Sequence, residues 1–188
     1  MKSARQWPFA AVLVTAAFFS VKSMWIPIKA EVAQLLLEQA WIRTQAGEPD
    51  ARPWPWADTN PVGILEVPRL SIRQILLSGT SGRNLAFGPT LLSPLAQGDL
   101  VISGHRDTHF NFLNSLEKDE LLRVTSLQGV SEYRVSWLEV IDSRSHQLVL
   151  EPGALRLTLM TCYPFNAASS GGPLRFVVTA EPAGRRNS

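Results

Sequence analysis

The chain has 188 residues, 45% hydrophobic and 18% charged, enough for one domain of ordinary size, and its 13 prolines and 12 glycines are scattered through aliphatic sequence. That texture excludes a wholly disordered, collagen-like or low-complexity chain, and no repeat of solenoid length is present. The net charge of +2 is unevenly spread: Lys2, Arg5, Lys22 and Lys29 stand without an acid in the first 30 residues, leaving 14 Lys plus Arg against 16 Asp plus Glu beyond them. The folded part therefore lacks the basic excess of a phosphate footprint, and nucleic acid is not expected as a partner.

Gln6 to Val21 is a run of 16 uncharged, mostly apolar residues behind Lys2 and Arg5. As a helix it is about 24 Å long, short of a hydrocarbon core of roughly 30 Å. Continued to Ile28 it reaches 23 residues, with Lys22 snorkelling and Trp7 and Trp25 near opposite interfaces. A cleaved signal peptide shares the positive start, but the weak small-x-small site at Thr15 to Ala17 is buried within the run. The expectation is an uncleaved anchor over 1–29, N-terminus cytoplasmic, with the rest exported. A single Cys forbids an intramolecular disulfide, although an exported compartment would permit one.

Ala30 to Thr44 reads as a helix, with Val32, Leu35, Leu36, Gln39 and Ile42 at helical spacing, leaving the membrane as a stalk. From Gly47 to Pro61 the prolines at 49, 53, 55 and 61 forbid a continuous helix, while Trp54 and Trp56 supply large apolar surfaces. This stretch is expected to be an ordered lead-in packed on the domain. Strand-like runs follow at Val62 to Val67, Ile72 to Leu77, Asp99 to Ser103, Leu121 to Thr125, Tyr133 to Ile141, Leu155 to Met160 and Leu174 to Thr179. Tyr133, Val135 and Trp137 alternate with Arg134, Ser136 and Leu138, the pattern of a half-buried strand. One helix is expected around Phe110 to Leu116, and a turn near Asn84. Seven or eight short strands predict a sandwich or small barrel, with strand order left open.

Three segments, each at a predicted strand end, carry chemistry: Val101-Ile-Ser-Gly-His105-Arg-Asp-Thr-His109, Leu157-Thr-Leu-Met-Thr-Cys162-Tyr-Pro, and Gly171-Gly-Pro-Leu-Arg175. A free thiol is only a few per cent ionised at neutral pH, so a nucleophilic Cys162 needs a cation or base beside it. Alone, a Cys after an apolar run is more often a core residue, and His105 reads as the cap of a loop. Arg175 interrupts an apolar strand, where a guanidinium calls for an acid, a developing negative charge or an exposed edge.

Thr158-Leu-Met-Thr-Cys162, Gly104-His105 and Arg175 together resemble the sortases, cysteine transpeptidases built on an eight-stranded β-barrel. Trp54-Pro-Trp-Ala-Asp-Thr, Pro61-Val and Leu65-Glu-Val-Pro-Arg-Leu70 are similar to the Gram-negative (class GN) members, across roughly residues 52 to 180. Asn60 stands where that class has Trp, and Gly63 where Ala is usual. The resemblance implies a mainly β fold: a closed barrel of about eight strands with one or two short helices, behind an N-terminal membrane helix. The implied organisation is an anchor over 1–29, a stalk helix and linker over 30–51, a catalytic barrel over 52–182 and a disordered tail over 183–188, with the anchor in the inner membrane and the barrel in the periplasm.

The resemblance also implies roles. Cys162 attacks a carbonyl of a C-terminal sorting signal on an exported protein, His105 serves as acid and then base, and Arg175 binds the oxyanion before transfer to an amine nucleophile. Asp107 is a candidate to orient His105 or to pair with Arg106, and Thr161 is a further orienting candidate. The signal is expected to be an extended Leu-Pro, Thr-Gly-like peptide, with the Pro164 to Pro173 loop able to close over it. His105 and His109 stand four apart, but no Glu follows His105 and no third ligand is evident; the Ser143 to Glu151 loop has few acids for calcium. No metal and no cofactor are expected. Two rivals stay open: a hydrolytic cysteine peptidase on the same scaffold, and a non-catalytic, membrane-tethered β-domain that binds an exported partner and buries Cys162 in its core.

Overall fold

The computed structural model describes residues 29–79, 81–93, 99–146, 155–167 and 171–184. The expected anchor falls outside them but for Lys29, as do most of the tail and parts of the 143–151 and 164–173 loops. Among the described residues no helix is long and apolar enough to cross a membrane.

Eight strands close into a barrel: β1 (Pro61–Val67), β2 (Ile72–Leu77), β3 (Thr90–Leu91), β4 (Leu100–Ser103), β5 (Leu121–Ser126), β6 (Gly129–Asp142), β7 (Leu157–Cys162) and β8 (Leu174–Pro182). Around the barrel they run β1-β2-β3-β4-β7-β8-β6-β5, and closure leaves no unpaired edge. β2–β3 and β4–β7 are parallel, and the remaining pairs antiparallel. Alternate residues point inward: Leu65 and Val67 from β1, Leu100 and Ile102 from β4, Leu157 and Leu159 from β7, Val178 and Ala180 from β8. Phe110, Phe112, Leu113 and Leu116 join the same core. They belong to the segment expected as a helix, which forms a 3-10 turn over Asn111–Ser115, with another at Asn84–Ala86.

One expectation is corrected and two are made specific. First, the expected helix spans 29–45 (α1) and lies against the barrel. Leu37, Ala40, Trp41 and Thr44 are buried, and Leu37 packs with Ile75 and Leu77 of β2. Gln34 also donates to the carbonyl of Phe87, and Glu38 pairs with Arg73. Two stripes of α1 have helical spacing, and the one holding Leu37 and Trp41 is buried because Leu37 meets Ile75 and Leu77 of β2; Val32, Leu35 and Ile42 stay exposed. Second, Trp137 is 61% exposed although Tyr133 and Val135 are buried. The β6–β8 register shifts between Val135 and Trp137, and this bulge reverses the faces, sending Leu138 inward. Third, the lead-in packs on the domain as expected, with Ala51, Ala57 and Thr59 buried, but through only one of its tryptophans. Trp54 meets Phe87 edge-to-face with ring centroids 4.9 Å apart, whereas Trp56 is 83% exposed.

Both departures from the class pattern have local reasons. A Cβ on Gly63 would lie 2.6 Å from the carbonyl oxygen of Thr125, so β1 can approach β5 there only as glycine. The Asn60 side-chain oxygen accepts from the Ser78 hydroxyl at 2.5 Å, and the Asn60 backbone N–H donates back to the same hydroxyl oxygen at 3.1 Å, fastening the lead-in to the end of β2.

Candidate active site

β4, β7 and β8 are neighbours, and their alternation decides which side chains share a face. Leu157, Leu159 and the buried Thr161 of β7 point into the barrel, so Cys162, the last residue of the strand, points out. Its register partner on β8 is Arg175, flanked by the inward-facing Phe176, Val178 and Ala180. Cys162 and Arg175 therefore lie side by side on the outer face, both half-buried. Cys162 is no core passenger, which removes the premise of the binding-domain rival.

On the other flank β4 runs parallel to β7, with Ser103 opposite Met160. Two bonds continue the pairing past the end of β4: Gly104 N donates to Met160 O at 3.2 Å, and Thr161 Oγ1 donates to Gly104 O at 2.7 Å. Thr161, only 2% exposed, thus ties the cysteine strand to the residue before His105. The chain then turns, with Phe110 N donating to His105 O at 2.9 Å, and the His105 side chain is exposed. Phe110 fills the space beneath the turn, and a Cβ on Gly104 would lie 2.5 to 2.8 Å from its ring. The Gly before His105 is thus required by the core.

Arg175 donates from Nη1 to Gly172 O at 2.6 Å and to Leu174 O at 2.9 Å, which braces the guanidinium against its own turn. The turn is held from two sides, by Tyr163 N donating to Leu174 O at 3.0 Å and Ser143 N to Pro173 O at 2.9 Å. Beside Cys162 the rings of Tyr163 and Phe165 lie against Phe176, with centroids 6.3 and 5.2 Å away.

Of the orienting candidates, Asp107 gives both carboxylate oxygens to Arg106, whose Nε lies at 2.6 Å and Nη2 at 2.9 Å. Those hydrogen bonds, and then the charges of Arg106 and His105, hold the Asp107 carboxyl below its ordinary range. The expected pairing of Asp107 with Arg106 is thus found, but Arg106 does more than the sequence reading gave it. Its side chain is 5% exposed, and it stays charged chiefly through Asp107's hydrogen bonds, with the charges of Asp107 and Cys162 adding to them against the cost of burial. The adjacent Asp107 was the available signal for its charge pairing, whereas its backbone acceptors leave no mark in the sequence. His109 faces away from a metal role: its Nδ1 meets Gln74 Oε1 at 3.2 Å, and burial lowers its proton affinity. Among the described residues no cluster of three His, Cys, Asp or Glu side chains is placed to hold a metal ion.

The Sortase domain family pattern matches residues 65–183. Sortase D of Bacillus subtilis is 31% identical over 121 residues, covering 62% of this chain and 61% of the relative. Sortase A of Listeria monocytogenes is 27% identical over 108 residues, covering 54% of this chain and 49% of the relative. The chain thus spans about three fifths of one curated relative and half of the other. Among solved structures, sortase C-1 from Actinomyces oris superposes with a TM-score of 0.55 at 27% identity, covering 67% of this chain and 76% of that one.

Proposed function

This chain belongs to the sortase family, and from that premise we propose that it is a membrane-anchored cysteine transpeptidase of the Gram-negative class. It cleaves the C-terminal sorting signal of an exported protein and passes the new carboxyl end to an amine. The observation that carries the reading is the outer-face alignment of Cys162 with Arg175 across β7–β8, beside a His105 turn bonded to the same strand. Lys2 and Arg5 ahead of the apolar run support an inner-membrane anchor with a cytoplasmic N-terminus and a periplasmic barrel.

In the reaction the Cys162 thiolate adds to the scissile carbonyl, and the carbonyl electron pair moves onto oxygen. Arg175, braced through Nη1, presents its other edge to that oxyanion, so the donor is oriented before charge develops. His105 in its imidazolium form protonates the departing amine as the C–N bond breaks, leaving a thioester on Cys162. The neutral imidazole then takes the proton of the incoming amine, which attacks the thioester and expels the thiolate. Thr161 holds thiol and imidazole in one frame without touching substrate.

The test is intact-mass analysis of the full-length chain with a Leu-Pro-x-Thr-Gly peptide library, with and without a small amine. An acyl adduct on Cys162, absent from Cys162→Ala and released faster by amine, is the expected result. Release insensitive to amine would assign hydrolysis instead. No adduct, with a thiol inert to alkylation, would overturn the reading.

A further inference from the structure

We propose that Arg106 is a positioning residue, clamping the turn that carries His105 to the chain that follows Cys162 and so fixing the gap between imidazole and thiol. The inference rests on the transpeptidase reading for its catalytic consequence. Its geometry stands independently of that reading.

The parallel β4–β7 ladder ends at Ser103 and Met160, and the Gly104 bonds to Met160 and Thr161 are its last extension. Beyond them two loops diverge, one through His105 and one through Tyr163 to Ala167, and a substrate strand must pass close to both. Arg106 spans that divergence. Its Nη1 donates to Pro164 O at 2.7 Å and its Nη2 to Ala167 O at 3.1 Å, two and five residues past the nucleophile. Asp107 fixes the plane of the fork by accepting from Nε and Nη2.

Burying a guanidinium is costly unless its donors are matched, and here Nε, Nη1 and Nη2 all are. Its acceptors are the carbonyls of Pro164 and Ala167 and the Asp107 carboxylate, so its burial serves the loops. A planar fork can hold two carbonyls and a carboxylate in one fixed relation, whereas a lysine ammonium would hold them as a point charge without that orientation. Because a misplacement of about 1 Å costs on the order of a hundredfold in rate, a clamp at this point controls the reaction without contacting the substrate.

The test uses the full-length chain with Arg106→Gln and Arg106→Lys, each checked for a native near-UV circular dichroism spectrum. Peptide transfer is measured as separate kcat and KM, and Cys162 alkylation by iodoacetamide is followed across pH. Arg106→Gln is expected to lose roughly 10- to 100-fold in kcat with KM changed less than about twofold, and to shift the pH profile of alkylation. Arg106→Lys is expected to recover part of the kcat. Both variants matching the wild-type kcat and alkylation profile would overturn the clamp, as would a loss of kcat that only follows the loss of folded protein. If the unmodified chain turns over no peptide, the transpeptidase reading fails and alkylation alone decides: a profile shifted in Arg106→Gln keeps the clamp, and an unchanged one removes it.

Discussion

Replacing Gly104 by Ala tests how the barrel core sets the candidate site. The new Cβ would lie 2.5 Å from Phe110 Cγ and 2.8 Å from its two Cδ atoms, about 1 Å inside the separation at which carbon atoms attract. The ring cannot swing aside, because Phe110 is fully buried and packs edge-to-face on Phe112 at 5.6 Å. Overpacking of this kind costs about 1–3 kcal/mol, and a clash with a fixed ring belongs at the upper half of that range. At roughly 2–4 °C per kcal/mol, thermal unfolding of the Gly104→Ala chain is expected about 4–12 °C below the parent. Transfer activity should fall further than stability, since Gly104 is bonded to both Met160 and Thr161 and carries His105. Phe110→Leu makes room, so the double variant Gly104→Ala/Phe110→Leu should be less destabilised than the sum of the singles by about 0.5–3 kcal/mol. Calorimetry of the four proteins measures this coupling. Strict additivity, or a Gly104→Ala chain that melts with the parent, would refute the account.

Arg175→Ala is expected to reduce kcat by roughly 10²- to 10³-fold with little change in the melting temperature, and Arg175→Lys to restore little of it, because the fork is what the oxyanion needs; steady-state peptide transfer checks both. Thr161→Val leaves the carbonyl of Gly104 without its buried donor and should cost about 1–3 kcal/mol in denaturant unfolding, with a drop in kcat as the His105 turn loosens. Asp142, at the end of β6, accepts from the Arg144 side chain and backbone, and these bonds lower its carboxyl from the ordinary 3.8 to about 2. The depressed folded-state value means the pair stabilises above the unfolded value and loses that contribution as pH falls from about 4 toward 2. Carboxyl NMR titration should show Asp142 near 2 and a return toward 3.8 in Arg144→Gln. A midpoint unmoved by that substitution would contradict the assignment.

Much of the fold was legible because strands announce themselves locally. Ile72–Leu77 coincides with its predicted bounds, and Leu121, Tyr133 and Leu174 all fall inside strands. β3 was not legible: Thr90–Leu91 is two residues long, and it becomes a strand only because Leu77 lies on one side of it and Ser103 and Ile102 on the other. The face of α1 was misread because two stripes share helical spacing, and only the presence of Ile75 and Leu77 decides which one has something to cover. Trp137 was misread because a bulge is set by the partner strand and leaves the alternation of hydrophobic residues unaltered up to the point where it acts.

For the site, Cys162, His105 and Arg175 could be picked out from sequence because a lone thiol, a Gly-His at a strand end and a charged residue in an apolar strand each carry a cost or a reactivity that asks for a reason. The clamp role of Arg106 could not, since its acceptors are backbone oxygens of residues 164 and 167, which any amino acid would supply. The amino-acid order by itself settled where every strand but β3 lies and which residue types were available for chemistry. Tertiary closure alone decided that β7 lies between β4 and β8, bringing Gly104 to Thr161 across 57 residues and Arg175 into register with Cys162. The reason is that a period of two fixes the face of a residue within its own strand, whereas the choice of neighbouring strand depends on which pairing buries the shared core and leaves no edge unpaired.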